Sequence, residues 1–331
     1  MMQDKKVKAL GLCSGGLDSI LAALVLREQG IDVIWVAFET PFFTAEKARK
    51  ASVNNDIPLI VKNITDRYVP MLKHPKCGYG KNMNPCMDCH ALMFQIAGEM
   101  MAETGADFLF SGEVRGQRPM SQNKNSLRYV EKNSGFDGYI LRPLSAKVLP
   151  ETPMEKQGLV VRERLYGFSG RSRIPQMELA KKLGVTEYPA PAGGCLLTDV
   201  GYAKRLRDLF DHQAKIAPAE MDFLSFGRHL RLNETTKVIV GRNKKDNDNL
   251  MRLYRPDHDF LLKLQTLPGP VVLVPNGCDE QVLEEAAAIC AGYGKAAKHG
   301  SAVVTVTTPA GIRIVTVVPK PASRVQALLI S

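Results

Sequence analysis

Val7 to Cys13 is a short, almost uninterrupted apolar run, the pattern of a strand buried on both faces. A Gly-rich turn follows. From about Ser19 to Gln29 the apolar positions take up helical spacing, until Gly30 closes the segment. Val33 to Phe38 predicts a second strand, Thr44 to Asn54 a second helix with Thr44 as its cap, and Leu59 to Val61 a third strand. Alternation of this kind builds a doubly wound parallel sheet that binds ligands at the carboxyl ends of its strands.

The rhythm then breaks. His74 to Asp88 is rich in Gly, Lys, Asn and Pro and reads as a loop; helix resumes near Cys89 and runs to about Thr104, before a strand at Asp107 to Phe110. A polar stretch from Gly112 to Gly138 precedes a strand at Tyr139 to Leu141. Arg173 to Leu183 is helical and ended by Gly184, and Pro189 to Gly194 is a turn-rich loop that delivers Cys195. Tyr202 to Asp211 predicts a basic helix, and Ile216 to Phe226 a linker-like stretch. Beyond Arg228 come a strand (Val238 to Val240), a helix (Lys244 to Tyr254), a strand (Val271 to Val274), a helix (Glu280 to Tyr293) and two strands (Val303 to Val306, Ile312 to Val317). The expected organisation is an α/β domain over 1–200, a basic helical linker over 201–227 and a smaller α+β domain over 228–331.

Composition narrows the function classes. A hydrophobic content of 45% with 24% charged residues suits soluble globular domains, and 331 residues suit two or three of them. No apolar run is long enough to span a bilayer, so no membrane partner is expected. The seven cysteines come without an export signal, which points to a reducing cytoplasm and to metal or sulfur chemistry rather than disulfides. Lys and Arg exceed Asp and Glu by 44 to 34, a net +10 that favours polyanionic partners.

Between the first strand and helix stands Ser14-Gly15-Gly16-Leu17-Asp18-Ser19. Two glycines allow close approach of backbone to phosphate and positive φ, and the helix start offers unpaired N–H groups to an anion. Ser14 and Ser19 can add hydroxyl donors. Asp18 would repel phosphate unless a cation lies between them, which implies Mg2+. No Gly-Lys-Ser/Thr follows, so this is not a Walker loop.

The hexapeptide resembles the PP-loop of the ATP pyrophosphatase superfamily, with its adenine nucleotide alpha hydrolase-like fold. Members of that superfamily split ATP between the α and β phosphates and adenylate a carbonyl or amide oxygen. Gly112-Glu113-Val114-Arg115-Gly116-Gln117 and Leu141-Arg142-Pro143-Leu144 are similar to segments of tRNA 4-thiouridine synthetases, in the same order along the chain. The resemblance covers roughly Lys6 to Leu197. It implies that Cys13 to Gly16, Asp18 and Ser19 hold the nucleotide, that Gly112 and Gln122 line its site, and that Phe38 lies beside the adenine. From its position alone, Cys13 reads as a small buried strand residue.

Cys86-Met87-Asp88-Cys89 sets two thiols on one turn at a helix start, where the dipole lowers a thiol pKa, and Cys195 follows Ala192-Gly193-Gly194. Three readings stand open. Cys86, Cys89 and Cys195 hold a [4Fe–4S] cluster with one iron open to hydrosulfide; or Cys89 or Cys195 carries a persulfide that another cysteine resolves; or Cys77, Cys86, Cys89 and His90 form a structural zinc (Zn2+) site. Some tRNA thiolases of the superfamily are similar here, which favours the cluster. Cys278 and Cys290 read as core filling.

In the last third of the chain, Val240-Gly241-Arg242-Asn243, Asn247 to Leu250 and Pro268 to Leu273 resemble the RNA-binding NFACT-R domain, over about Arg228 to Val318. Aromatic residues are sparse there, so backbone and shape recognition is expected. Together these features predict an ATP-dependent tRNA sulfurtransferase with Asp18, Cys86, Cys89 and Cys195 at its catalytic centre. It would make 4-thiouridine near position 8 and draw sulfur from hydrosulfide or from a cysteine desulfurase or persulfide carrier. The alternatives are a 2-thiouridylase acting in the anticodon, a ligating or amidating PP-loop enzyme on a small molecule with structural zinc, and a non-catalytic RNA-binding factor.

Overall fold

The computed structural model describes residues 6–190, 195–214, 216–298 and 300–330. The turn Ala192-Gly193-Gly194 therefore lies outside the described residues. The chain divides into two compact units, Met1–Thr198 and Asp199–Ser331.

In the first unit the order is β1 (Lys8–Leu12), α1 (Leu17–Arg27), β2 (Asp32–Glu39), α2 (Glu46–Asn55), β3 (Leu59–Asn63), α3 (Thr65–Lys73), α4 (Cys86–Glu99), α5 (Met101–Thr104), β4 (Phe108–Ser111), α6 (Lys124–Asn133), β5 (Ile140–Leu141), α7 (Pro153–Lys156) and α8 (Ile174–Lys182). The five strands form one parallel sheet in the order β3-β2-β1-β4-β5. After β1 the chain winds outward through β2 and β3, then returns to place β4 on the other side of β1. The crevice between the carboxyl ends of β1 and β4 is thus the topological switch point, where such sheets bind ligands. Strands β1 and β4 are hydrophobic on both faces because helices cover both. Ala9, Leu10, Phe108, Leu109 and Phe110 are all wholly buried.

Several local expectations change. Thr44 does not cap α2: Ala45 stands at the cap with no side-chain bond, and Asp56, at φ 50°, ends the helix in the left-handed region. Helix α3 was hidden because its buried stripe is only Thr65, Tyr68 and Leu72, with Pro70 inside. The polar stretch after Gly112 contains α6, which Asn123 caps by accepting from the Ser126 N–H; its apolar face is reduced to Leu127 and Val130. Helix α4 starts at Cys86 instead of near Cys89.

In the second unit come α9 (Val200–His212), α10 (Pro218–Phe223), β6 (Arg228–Arg231), β7 (Lys237–Val240), α11 (Lys244–Leu253), β8 (Phe260–Leu264), β9 (Val272–Val274), α12 (Glu280–Gly292), β10 (Ala302–Thr308) and β11 (Gly311–Val317). A six-stranded antiparallel sheet, β11-β10-β8-β9-β7-β6, carries α12 on one face. Alternation sorts β7: Val238 and Val240 face α12, while Ile239 packs with Phe223 and Leu250 on the other face. The stretch expected as linker-like thus contains α10, whose Phe223 enters that second core. Cys290, on the buried face of α12, is core filling, and Cys278 packs against the same core.

Helix α12 passes so close to the chain after β11 that a Cβ on Gly292 would sit 1.8 Å from the Lys320 carbonyl oxygen. Gly292→Ala should therefore destabilise the second unit by about 1–3 kcal/mol despite alanine's better helix propensity. Urea unfolding measured against wild type checks this.

Candidate active site

The expected nucleotide loop leaves β1 at Cys13, whose N–H still donates to the Val36 carbonyl at 2.9 Å. Gly15 has φ +70°, and a Cβ there would lie 2.3 Å from the Lys47 backbone, so the loop packs directly against α2. Gly16, by contrast, is extended (φ −84°) and stands at the N-cap of α1. Ser19 does not offer a free donor, since its hydroxyl donates to the Gly16 carbonyl at 2.8 Å and braces the loop. Ser14 is exposed and accepts from the Gly16 N–H. Cys13 is buried, its Sγ 4.0 Å from the Ser19 hydroxyl, and burial pushes its thiol up to about 11. Phe38 is buried near the carboxyl end of β2.

Gly112 follows β4 across the crevice. A Cβ there would meet the Asp18 carbonyl carbon at 2.3 Å, so glycine is required for β4 and the first turn of α1 to touch. Gln117 Nε2 donates to Asp18 Oδ2 at 2.9 Å. Burial raises the Asp18 pKa, against the opposing effects of the Gln117 bond and of Arg173 and Arg118. Asp18 Oδ1, Gln117 Oε1 and Gln122 Oε1 are buried oxygens without hydrogen-bond partners among the described residues. Unsatisfied oxygens of this kind are what a hard cation such as Mg2+ takes as ligands.

Glu113 ties the crevice to its surroundings. Its carboxylate accepts from Arg142 Nε at 2.9 Å and from the Ser111 hydroxyl at 3.1 Å, and pairs with His90 Nδ1 at 2.8 Å. Arg142 also pairs with Glu131 of α6. Burial alone would raise the Glu113 pKa, but Arg142 and His90 outweigh it and hold the carboxyl at about 2. His90 lies on α4, one residue beyond Cys89, so this network fixes the thiol-bearing helix to the ends of β4 and β5.

The cysteines gather on the other side of α4. Tyr68 of α3, 1% exposed, hydrogen-bonds the Cys89 thiol and interacts electrostatically with Cys89, Cys195 and Cys86. Cys195 is drawn in from a distant part of the chain by three bonds. Asn82 Nδ2 donates to the Thr198 carbonyl (2.7 Å), the Met83 N–H to the Leu197 carbonyl (3.2 Å) and the Leu196 N–H to the Phe42 carbonyl (3.2 Å). Asn84 Nδ2 donates to Cys86 Sγ at 3.3 Å. The expectation that the helix start lowers the thiol pKa fails at Cys89. Burial pushes it up to about 12, opposed by the Tyr68 bond and reinforced by the neighbouring thiols. Burial likewise pushes Cys195 up to about 11.

Among the described residues no three His, Cys, Asp or Glu side chains are placed to hold a metal ion. His90 is committed to Glu113, and the exposed Cys77 offers its N–H to Asp88 at 2.8 Å. Neither the expected zinc set nor the set of Cys86, Cys89 and Cys195 is therefore placed to hold a single metal ion. Three thiols facing one tyrosine are a soft donor set whose chemistry fits an iron–sulfur cluster, which spreads its cysteines wider than a single ion does. Tyr68 and Arg173 were not legible as site residues, and His90 was read only as a zinc ligand, not as the partner of Glu113. Only the Gly-Glu-x-x-Gly-Gln segment carried a signal, and it marked Glu113 and Gln117 without their partners.

Two family models match separate parts of the chain. Residues 5–148 match the family described as "Thiamine biosynthesis protein (ThiI)", and residues 227–328 match the "NFACT protein RNA binding domain". The tRNA-specific 2-thiouridylase MnmA of Clostridium acetobutylicum is 34% identical over 132 residues, 33% of this chain and 36% of that protein. The probable tRNA sulfurtransferase of Thermococcus kodakarensis is 30% identical over 179 residues, 52% of this chain and 44% of that protein. A 4-thiouridine synthetase crystallised with RNA and bound ATP aligns at 21% identity and a TM-score of 0.34, over 54% of this chain and 52% of that one. The chain thus spans under half the length of these two curated relatives. The first unit is similar to the ThiI family over residues 5–148, and the second to the NFACT-R RNA-binding domain over residues 227–328.

Glu113→Gln should cost about 3 kcal/mol at pH 7, because Arg142 then lies buried with half its charge partners gone. The folded-state pKa of Glu113 is depressed from an ordinary 4.5 to about 2, so its stabilisation is complete above pH 4.5 and is lost as pH falls toward 2. The stability gap between wild type and Glu113→Gln, followed by denaturant unfolding, should close over that window.

Proposed function

We propose that this protein is an ATP-dependent tRNA sulfurtransferase. The observation that carries the reading is the gathering of Cys86, Cys89 and Cys195 around Tyr68, in the unit that holds the PP-loop. An adenylating loop alone serves many acceptors; thiols gathered in the same unit favour sulfur as the nucleophile. The NFACT-R domain favours RNA as the acceptor, with phosphate and shape contacts from a net positive chain.

Ser14 to Ser19 receive the phosphates of ATP, and Asp18 with Gln117 presents oxygens to Mg2+. A uridine carbonyl oxygen attacks the α-phosphorus and pyrophosphate leaves. Hydrosulfide then adds to the activated carbon and the oxygen departs with AMP, so no net oxidation occurs. A [4Fe–4S] cluster on Cys86, Cys89 and Cys195 would supply an open iron for that sulfur. Tyr68 keeps Cys89 oriented, and its own hydroxyl, pushed well above the ordinary range by burial and the thiols, stays protonated. Because Cys89 and Cys195 are protonated at neutral pH, loading the site releases protons.

The similarity of Gly112 to Gln117 and of Leu141 to Leu144 to segments of tRNA 4-thiouridine synthetases supports C4 as the position thiolated. The resemblance to a tRNA-specific 2-thiouridylase keeps C2 as the second reading. Purified under anaerobic conditions and given ATP, Mg2+, hydrosulfide and unmodified tRNA, the protein should form 4-thiouridine, AMP and pyrophosphate. Nucleoside mass spectrometry separates 4-thiouridine from 2-thiouridine, and finding neither would overturn the reading. Cys195→Ala should lower turnover by at least about 100-fold while ATP binding persists; iron and sulfide analysis of that variant reports on the cluster.

A further inference from the structure

After β5 the chain returns to pair with the segment that follows Gly112. Ser169 bridges Arg115 in parallel pairing, and the Gly170 N–H donates to the Arg115 carbonyl at 2.8 Å. That pairing sets the residues just beyond Gly170 beside Gln117, which itself binds Asp18. Arg173 follows directly as the N-cap of α8, and its charge bears on the Asp18 carboxylate. Helix α8 then packs along α1.

The buried face of α8 is Gln176, Leu179 and Ala180, and the latter two belong to the core that α1 fills. By helical spacing Gln176 shares that face, one turn nearer the crevice. It is 0% exposed, yet neither its amide nitrogen nor its amide oxygen has a partner among the described residues. Arg173 Nε is buried and unpartnered as well. An amide with both ends unpaired in an apolar contact costs stability and needs a reason. Here it lies in the first turn of a helix whose N-cap, the half-buried Arg173, directs its charge at Asp18 in the loop expected to bind phosphate.

We propose that the first turn of α8 is a second phosphate-binding wall of the nucleotide site, with Arg173 and Gln176 gripping the pyrophosphate portion of ATP opposite the PP-loop. The inference rests on the nucleotide part of the proposed function and not on sulfur transfer. Arg173 supplies the charge and Gln176 the donor behind it, so together they discriminate a triphosphate from a monophosphate. They also hold the β- and γ-phosphates in place while the acceptor oxygen attacks the α-phosphorus and pyrophosphate leaves.

Calorimetric titration of the full chain with ATP, inorganic pyrophosphate and AMP, each with Mg2+, tests this. Arg173→Ala should weaken ATP and pyrophosphate binding by about 10- to 100-fold and leave AMP within about twofold. Gln176→Leu, nearly equal in volume and without the stranded amide, should melt at or above the wild-type temperature yet bind pyrophosphate more weakly; it decides the matter if Arg173→Ala does not fold. Wild-type pyrophosphate affinity in folded variants would overturn the inference, as would equal losses for ATP and AMP, or loss of tRNA binding with pyrophosphate binding intact. A wild-type protein that binds neither ATP nor pyrophosphate would overturn the nucleotide reading itself.

Discussion

A single carboxylate, Glu113, is held ionised in the interior by Arg142 and His90, and the architecture of the first unit turns on that arrangement. Three elements converge on it: the end of β4 carries Glu113, the end of β5 carries Arg142, and α4 carries His90. Arg142 extends the chain of charges to Glu131 on α6. A buried ion pair costs desolvation, and replacing it with apolar residues often stabilises a protein. Its contribution here is positional. A network satisfied in only one geometry holds α4, and with it Cys86 and Cys89, against the carboxyl ends of the strands.

The same edge of the sheet gathers the remaining chemistry. The PP-loop follows β1, Gly112 follows β4, Tyr68 lies in the helix after β3, and Phe42, which tethers the Cys195 segment, lies just beyond β2. Parallel strands send all their carboxyl ends in one direction, so loops far apart in the chain meet there. Burial then decides the protonation of what has been gathered. At Cys89 the helix terminus favours thiolate, but loss of solvent is the larger effect and the thiol stays protonated. At Asp18 the balance is similar: burial wins against two arginines and an amide, leaving a carboxylate for which a cation would be a favourable neighbour.

Much of the secondary structure was legible because it follows from periodicity. The first two strands, α1 and α12 bury wide apolar faces, and their patterns are plain in the sequence. Helices α3, α6 and α10 escaped notice because each buries only a few side chains, which a short window cannot distinguish from a loop. Loop details failed for a different reason. Thr44 and Ser19 are competent hydrogen-bonding residues, but which partner each takes depends on backbone positions set elsewhere.

By itself the sequence determined the class of sheet, the strand–loop–helix that carries Ser14 to Ser19, the pairing of Cys86 with Cys89, and the change of character beyond Arg228. Each is a local property, expressed by residue type and spacing within a few turns of chain. The tertiary structure alone decided that Cys195 joins the other two thiols at Tyr68, that Glu113 is the anchor of α4, and that the charge of Arg173 bears on Asp18. Those contacts join segments remote in the chain. They exist because the β1–β4 crossover brings strand ends together, and burial then sets the charge and hydrogen bonding of every group caught between them.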